Sequence, residues 1–116
     1  MAQLLVDTDV CIHHLSGARR LPRQAGRLAY SVITRAELLA GARGGEAASV
    51  RRLLAGMEEL EVDRRVAERA ALLRRERPSL RMPDALIAAT ALVHSLTLHT
   101  RNSRDFSGVP GLRVRA

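Results

Sequence analysis

Short apolar runs that stop at a polar residue, each followed by a helix-forming stretch, recur along this chain and constrain its fold more than any other feature. Leu4-Leu5-Val6 ends at Asp7-Thr8-Asp9, as a buried strand ends at the edge of a sheet. A helix follows, capped by Thr8 or Asp9, with Val10, Ile12 and Leu15 apolar and Ser16-Gly17 as its stop. Residues 17–27, with several Arg and Pro22, read as a basic loop, and Leu28-Ala29-Tyr30 as a brief second strand leading to Ser31. Ser31 to Ala42 has strong helix formers in its second half, with Gly44-Gly45 behind it.

Glu46 to Met57 is rich in Ala and Leu and reads as a helix, Leu60-Glu61-Val62 as a strand, and Asp63 as the cap of a helix running to about Arg77. In that helix Val66, Ala70 and Leu73 recur at helical spacing, and Pro78 ends it. Pro83 to Val93 is the most apolar stretch, a helix buried nearly all round, with Pro83 suited to its first position and Asp84 in its first turn. Ser95 to His99 reads as a strand, Thr100 to Gly108 as a polar loop and Leu112-Arg113-Val114 as a last short strand. The alternation predicts an α/β fold with a mostly parallel sheet, and the length predicts a single domain over 1–116.

Composition narrows the chemistry. All nineteen basic residues are Arg, and the net charge is +7, which suits a polyanionic partner such as RNA or an acidic protein segment. A high-GC genome that writes Arg for Lys is an equal account of the missing Lys. Tyr30 and Phe106 are the only aromatic residues, so packing must be aliphatic and base stacking is not the expected source of affinity. Cys11 stands alone, which excludes an internal disulfide and a cysteine metal cluster, and its apolar neighbours predict a buried, inert thiol. No segment reaches the length of an apolar membrane span, and the expected location is the cytoplasm.

Four acids stand out. Asp7 follows the first strand, Asp105 follows the strand ending at His99, Asp84 opens a helix and Glu37 lies on the helix after the second strand. In an open parallel sheet these places converge at the carboxyl ends of the strands. Each has a plainer reading: Asp84 complements its helix dipole, Glu37 pairs with Arg35 or Arg43, Asp105 is a loop acid, and Asp7 with Asp9 is a pair at a strand end. Yet LLVD, AELLA and DALIAA set three of them beside apolar residues. Two carboxylates about 4 Å apart repel by roughly 4 kcal/mol at an effective dielectric of 20, so a converging set calls for a proton or a cation. Oxygen ligands alone point to Mg²⁺ or Mn²⁺. His13, His14, His94 and His99 lack the spacing of a zinc site and are assigned surface or packing roles. Such a metal activates water and neutralises charge on a phosphate.

MAQLLVDTDVCIHHL, SVITRAELLAG, PDALIAATAL and LHTRNSRDF resemble, in order and spacing, the signature segments of PIN-domain toxins of the VapC type. The resemblance spans almost the whole chain. It implies a PIN-like fold, a central mostly parallel sheet flanked by helices, and a Mg²⁺- or Mn²⁺-dependent endoribonuclease of a type II toxin–antitoxin pair. It further implies inhibition by a VapB-type antitoxin, a homodimer, and a larger toxin–antitoxin complex. By position, Asp7, Glu37, Asp84 and Asp105 match the four acids, and Thr100 and Asn102 match polar residues that organise the pocket. Asp9 fits that pattern less well. The stretch between Leu15 and Ser31 is short and Arg-rich beside many relatives, which bears on the RNA target and the antitoxin contact. Arg35, Arg81, Arg101 and Arg104, close to the acids in sequence, are candidate contacts to the RNA backbone, with plain surface solubility as the alternative for each.

Two rivals remain at this level. Asp7-Thr8-Asp9-Val10 also resembles the first motif of haloacid-dehalogenase-like phosphatases, and a receiver domain has a similar length; both use a Lys, which this chain lacks. The other rival is a catalytically silent RNA- or protein-binding module.

Overall fold

Leu4–Val6 form β1, and the polar stop behind it opens α1 at Thr8–Leu15. The N-cap is Asp7, not Thr8 or Asp9: as the last extended residue, it is the one whose side chain reaches a free N–H, that of Thr8. The structure, a computed structural model, describes residues 2–22 and 27–116, so the middle of the predicted basic loop, residues 23–26, lies outside the described residues. β2 is Leu28–Ser31, a residue longer than predicted, because Ser31 both pairs with Leu60 and caps α2 (Val32–Gly41) by accepting from the Ile33 N–H.

α3 spans Glu46–Ala55 and stops at Gly56. β3 is Glu58–Leu60, not residues 60–62. It is an edge strand paired with β2 alone, where an exposed Glu58 is tolerated, so the apolar pattern that suggested a later start is not what sets its register. Asp63 caps α4 (Arg64–Glu76), accepting from the Val66 N–H at 2.9 Å, and Val66, Ala70 and Leu73 form its buried stripe as predicted. α5 is Met82–Val93, with Arg81 as N-cap and Pro83 therefore one place further in than expected. From Ala85 to Ala91 only Leu86 is not fully buried.

β4 is shorter than predicted, Thr97–His99, because Ser95 takes a left-handed turn (φ 56°) that ends the preceding helix. The predicted polar loop contains a single-turn helix, α6 (Ser103–Phe106), held down by Phe106, which is buried. β5 is Val114–Arg115, two residues on from the predicted start, and Leu112 instead packs into the core.

All five strands are parallel, in the order β3-β2-β1-β4-β5. Alternate residues point to opposite faces. Leu5, Ala29 and Leu98 join α4, α5 and Phe106 of α6 in one core, while Val6 and Tyr30 join α1, α2 and α3 in the other. The chain leaves β1 in one direction to β2 and β3, then crosses back to β4 and β5. The carboxyl ends of β1 and β4 therefore form the switch point, where the winding reverses and a crevice opens. No helix among the described residues is long and apolar enough to cross a membrane.

Candidate acidic site

Asp7 leaves the end of β1 straight into that crevice and is only 4% exposed. Thr100, the first residue beyond β4 and fully buried, donates its hydroxyl to Asp7 Oδ2 at 2.8 Å, and the Thr8 N–H donates to Oδ1 at the same distance. The Asn102 N–H in turn donates to Thr100 Oγ1 at 3.0 Å, so the turn after β4 is tied to the same carboxylate. Burial pushes the Asp7 carboxyl up to about 6; the Thr100 and Thr8 bonds hold it down, while Asp9 and Asp84 push it further up.

The other acids surround it unevenly. Thr8 Oγ1 donates to Glu37 Oε1 at 2.7 Å and lies 2.9 Å from Thr34 Oγ1. Thr34 and Glu37, three residues apart, share one face of α2. Glu37 is thus held by the segment that carries Asp7, and neither Arg35 nor Arg43 is its partner. Asp84 is half-buried; burial raises its pKa, Arg81 opposes this from 3.7 Å, and Glu37 and Asp105 add to the rise. Asp105, exposed on α6, shares a cavity of about 340 Å³ with Asp84. Asp9 accepts from the Arg101 N–H at 3.2 Å; burial raises its pKa, and its Oδ1 is buried without a partner among the described residues.

The four predicted acids thus sit in one neighbourhood around Asp7 and Asp84, coupled through their charges. Among the described residues no three acids, histidines or cysteines already close on one point as a finished ligand cage. The donor set nevertheless fits a hard divalent cation: carboxylate oxygens, an unpartnered Asp9 oxygen, and an Asp7 whose ionisation is costly without positive charge nearby.

Arg35 is already engaged within the protein. Its guanidinium pairs with Glu59 and reaches the Tyr30 hydroxyl, which itself donates to Glu59 at 2.7 Å, so this Arg fastens α2 to the sheet edge. Two residues from Glu37 on a helix, it faces another way. Arg81, Arg101 and Arg104 are exposed around the acids. Sequence reading also missed the Thr8 and Thr34 hydroxyls and Arg77, which lines the Asp84–Asp105 cavity; the Thr between two acids at 7–9 was the available signal for the first. His14 accepts from the Leu21 N–H and His99 lies against the Arg115 carbonyl, both packing roles. Burial pushes the Cys11 thiol up to about 12, and Asp7 and Asp9 add to it, so this cysteine is inert.

A parallel sheet with a buried carboxylate at its switch point and further acids around it is the build of a PIN domain, and the family model of that description matches residues 4–112; the chain belongs to the PIN-domain family. Within it the chain stands among VapC proteins. It is 39% identical to Ribonuclease VapC10 of Mycobacterium tuberculosis, over 97% of this chain and 99% of that one. It is 28% identical to the tRNA(fMet)-specific endonuclease VapC of Salmonella typhimurium, over 98% of this chain and 97% of that one. Among solved structures it superposes with a TM-score of 0.85 on a toxin–antitoxin complex from Klebsiella pneumoniae, 37% identical and covering 98% of this chain and 97% of that one. The DNA-bound VapBC of Salmonella typhimurium gives 0.87 at 27% identity, covering 99% and 98%.

Proposed function

We propose that this chain, acting as one domain over 1–116, is the toxin of a type II toxin–antitoxin pair and a Mg²⁺- or Mn²⁺-dependent endoribonuclease. The observation that carries the reading is Asp7, a buried carboxylate fixed by Thr100 and Thr8 at the switch point and pressed by neighbouring acids. The named relatives support it, since they are ribonucleases.

Asp7, Glu37, Asp84 and Asp105 would hold the cation. When bound, it supplies Lewis acidity and an activated water for attack on a phosphodiester. Thr100 and Asn102 keep Asp7 in place, and Thr8 keeps Glu37 beside it. Thr100 itself is fully buried.

A VapB-type antitoxin is the proposed inhibitor. A cavity of about 350 Å³ between α1, α2 and α3 is lined by Ile12, Leu15, Leu38, Gly41, Ala42 and Val50 and reaches Glu37 at one end. Ile12 is 52% exposed, an apolar side chain suited to the apolar face of an incoming helix. A basic residue following that helix meets the acids through Glu37. Leu72 and Met82, exposed on α4 and α5, are the apolar surface offered to a second copy in a homodimer. The cytoplasm, where RNA and a reducing milieu coexist, is the proposed location.

Purified protein is expected to cleave single-stranded RNA in Mg²⁺ or Mn²⁺ and to stop in EDTA. Asp7→Asn and Asp84→Asn are expected to abolish cleavage; undiminished cleavage by either variant overturns the metal-site assignment.

A further inference from the structure

The cavity that Asp84 and Asp105 share also holds three guanidinium groups, those of Arg77, Arg81 and Arg104, together with Ser79. Arg77 Nε is buried and has no hydrogen-bond partner among the described residues. An N–H desolvated in this way is unfavourable unless an acceptor arrives, and none of the acceptors that line the cavity, Ser79, Asp84 and Asp105, bonds to it. The Arg77 head also lies beside Gly108. Its Nη1 lies so close to Gly108 (φ +83°) that a Cβ there would stand 2.8 Å from it, so the glycine leaves the room the guanidinium occupies.

The floor beneath these groups is rigid. Arg74 donates through Nη1 to the carbonyls of Pro78 and Leu80, at 2.6 and 2.7 Å, and so holds the connection that carries Ser79 and Arg81 between α4 and α5. Arg104, on α6 next to Asp105, lines the same cavity. Arg81 is largely exposed and only loosely paired with Asp84, which leaves its donors available. Three cations on a prepared frame thus face one space whose other wall is the acidic site.

We propose that Arg77, Arg81 and Arg104 form a phosphate subsite that seats the phosphodiester next to the one being cleaved, with Ser79 as an additional donor. This inference rests on the ribonuclease reading of the acids. A strand of RNA presents a series of phosphates, and the space bordering Asp84 and Asp105 is where the neighbour of a phosphate at those acids falls. Planar guanidinium forks match phosphate oxygens in pairs, and the buried Arg77 Nε gains the acceptor it lacks. The subsite makes affinity depend on charge and not on base identity, in keeping with a chain almost devoid of aromatic residues.

The test uses the full-length protein and a short single-stranded RNA whose cut site has been mapped. Arg104→Gln, Arg77→Gln and the double variant are first shown to melt as folded proteins. Each single variant is expected to raise KM roughly tenfold, as the loss of a charge-assisted hydrogen bond does, with kcat within about twofold. RNA carrying a neutral methylphosphonate at the adjacent linkage is expected to raise KM similarly with the wild type and to add nothing further with the double variant. Binding of unmodified RNA to Asp7→Asn protein is expected to lose about one in salt slope for each Arg removed. An unchanged KM, an unchanged salt slope and a full methylphosphonate effect in the exposed Arg104→Gln variant overturn the subsite while leaving the nuclease intact. If the wild type cuts no RNA but the salt slopes fall as stated, the subsite stands and the nuclease reading falls.

Discussion

Replacing the central acid of the site is expected to make the protein more stable. Asp7 is buried, and its carboxyl titrates at about 6 in place of the ordinary 3.8. Because the folded-state value lies above the unfolded one, the folded protein binds that proton more tightly. The group's contribution to stability is therefore complete below about pH 4 and lost as pH rises through about 6. A rise of that size corresponds to a ceiling of about 3 kcal/mol of destabilisation at about pH 7.5. Asn at position 7 keeps an acceptor for the Thr8 N–H and carries no charge, so Asp7→Asn is expected to recover about 2 kcal/mol. For a chain of this length that is roughly 8 °C in Tm. The assay is thermal unfolding of both proteins in EDTA between pH 4 and pH 8. The gap should be widest at neutral pH and close towards pH 4. Adding Mg²⁺ or Mn²⁺ should then raise the wild-type Tm and leave that of the variant where it was, because a ligand stabilises only the state that binds it. A variant no more stable than wild type at pH 7.5 in EDTA refutes the reasoning, as does a gap independent of pH.

The partner of that carboxylate gives the opposite result: Thr100→Val, similar in size, removes the hydroxyl from Asp7 and the acceptor from the Asn102 N–H. It should lower stability at pH 7.5 by about 1–3 kcal/mol in urea unfolding, with Thr100→Ser restoring most of it. In α5, Ala88 is fully buried, and Ala88→Leu forces side chains into a core with no room for them. A loss of about 1–3 kcal/mol, read by the same urea titration, is expected there.

How much of this was legible in the sequence varies by element for physical reasons. β1 and Asp7 were readable because three buried residues stop abruptly at a charge, a local signal. α4 was readable because Val66, Ala70 and Leu73 recur at helical spacing, and α5 because a long, almost uninterrupted apolar run of helix formers follows Pro83. α6 was not, since a single turn has no period to detect and only Phe106 marks it. β3 was misplaced because an edge strand is fixed by pairing with β2, and Glu59 there serves the Tyr30–Arg35 contact, which lies far away in sequence. At the site, residue type and order named acids that the fold gathers near one another, but the direction of each side chain did not follow. Arg35 and Glu37 are neighbours in the chain and part company in space, whereas Arg77 lies seven residues before Asp84 and faces the same cavity. Proximity along the chain says little about side once a helix intervenes.

The hydrogen bond between Thr100 and Asp7 spans 93 residues, and it has a temporal consequence. β1 leaves the ribosome before the other four strands and is the middle strand of the finished sheet, yet one of its two neighbours, β4, is synthesised only after five helices have been made. Until β4 arrives, Asp7 has no Thr100 and the switch point has one wall. A nascent chain halted before that strand carries three of the four acids and no complete pocket. In the proposed nuclease the acidic site is therefore among the last parts of the chain to be completed, when β4 and α6 have been made.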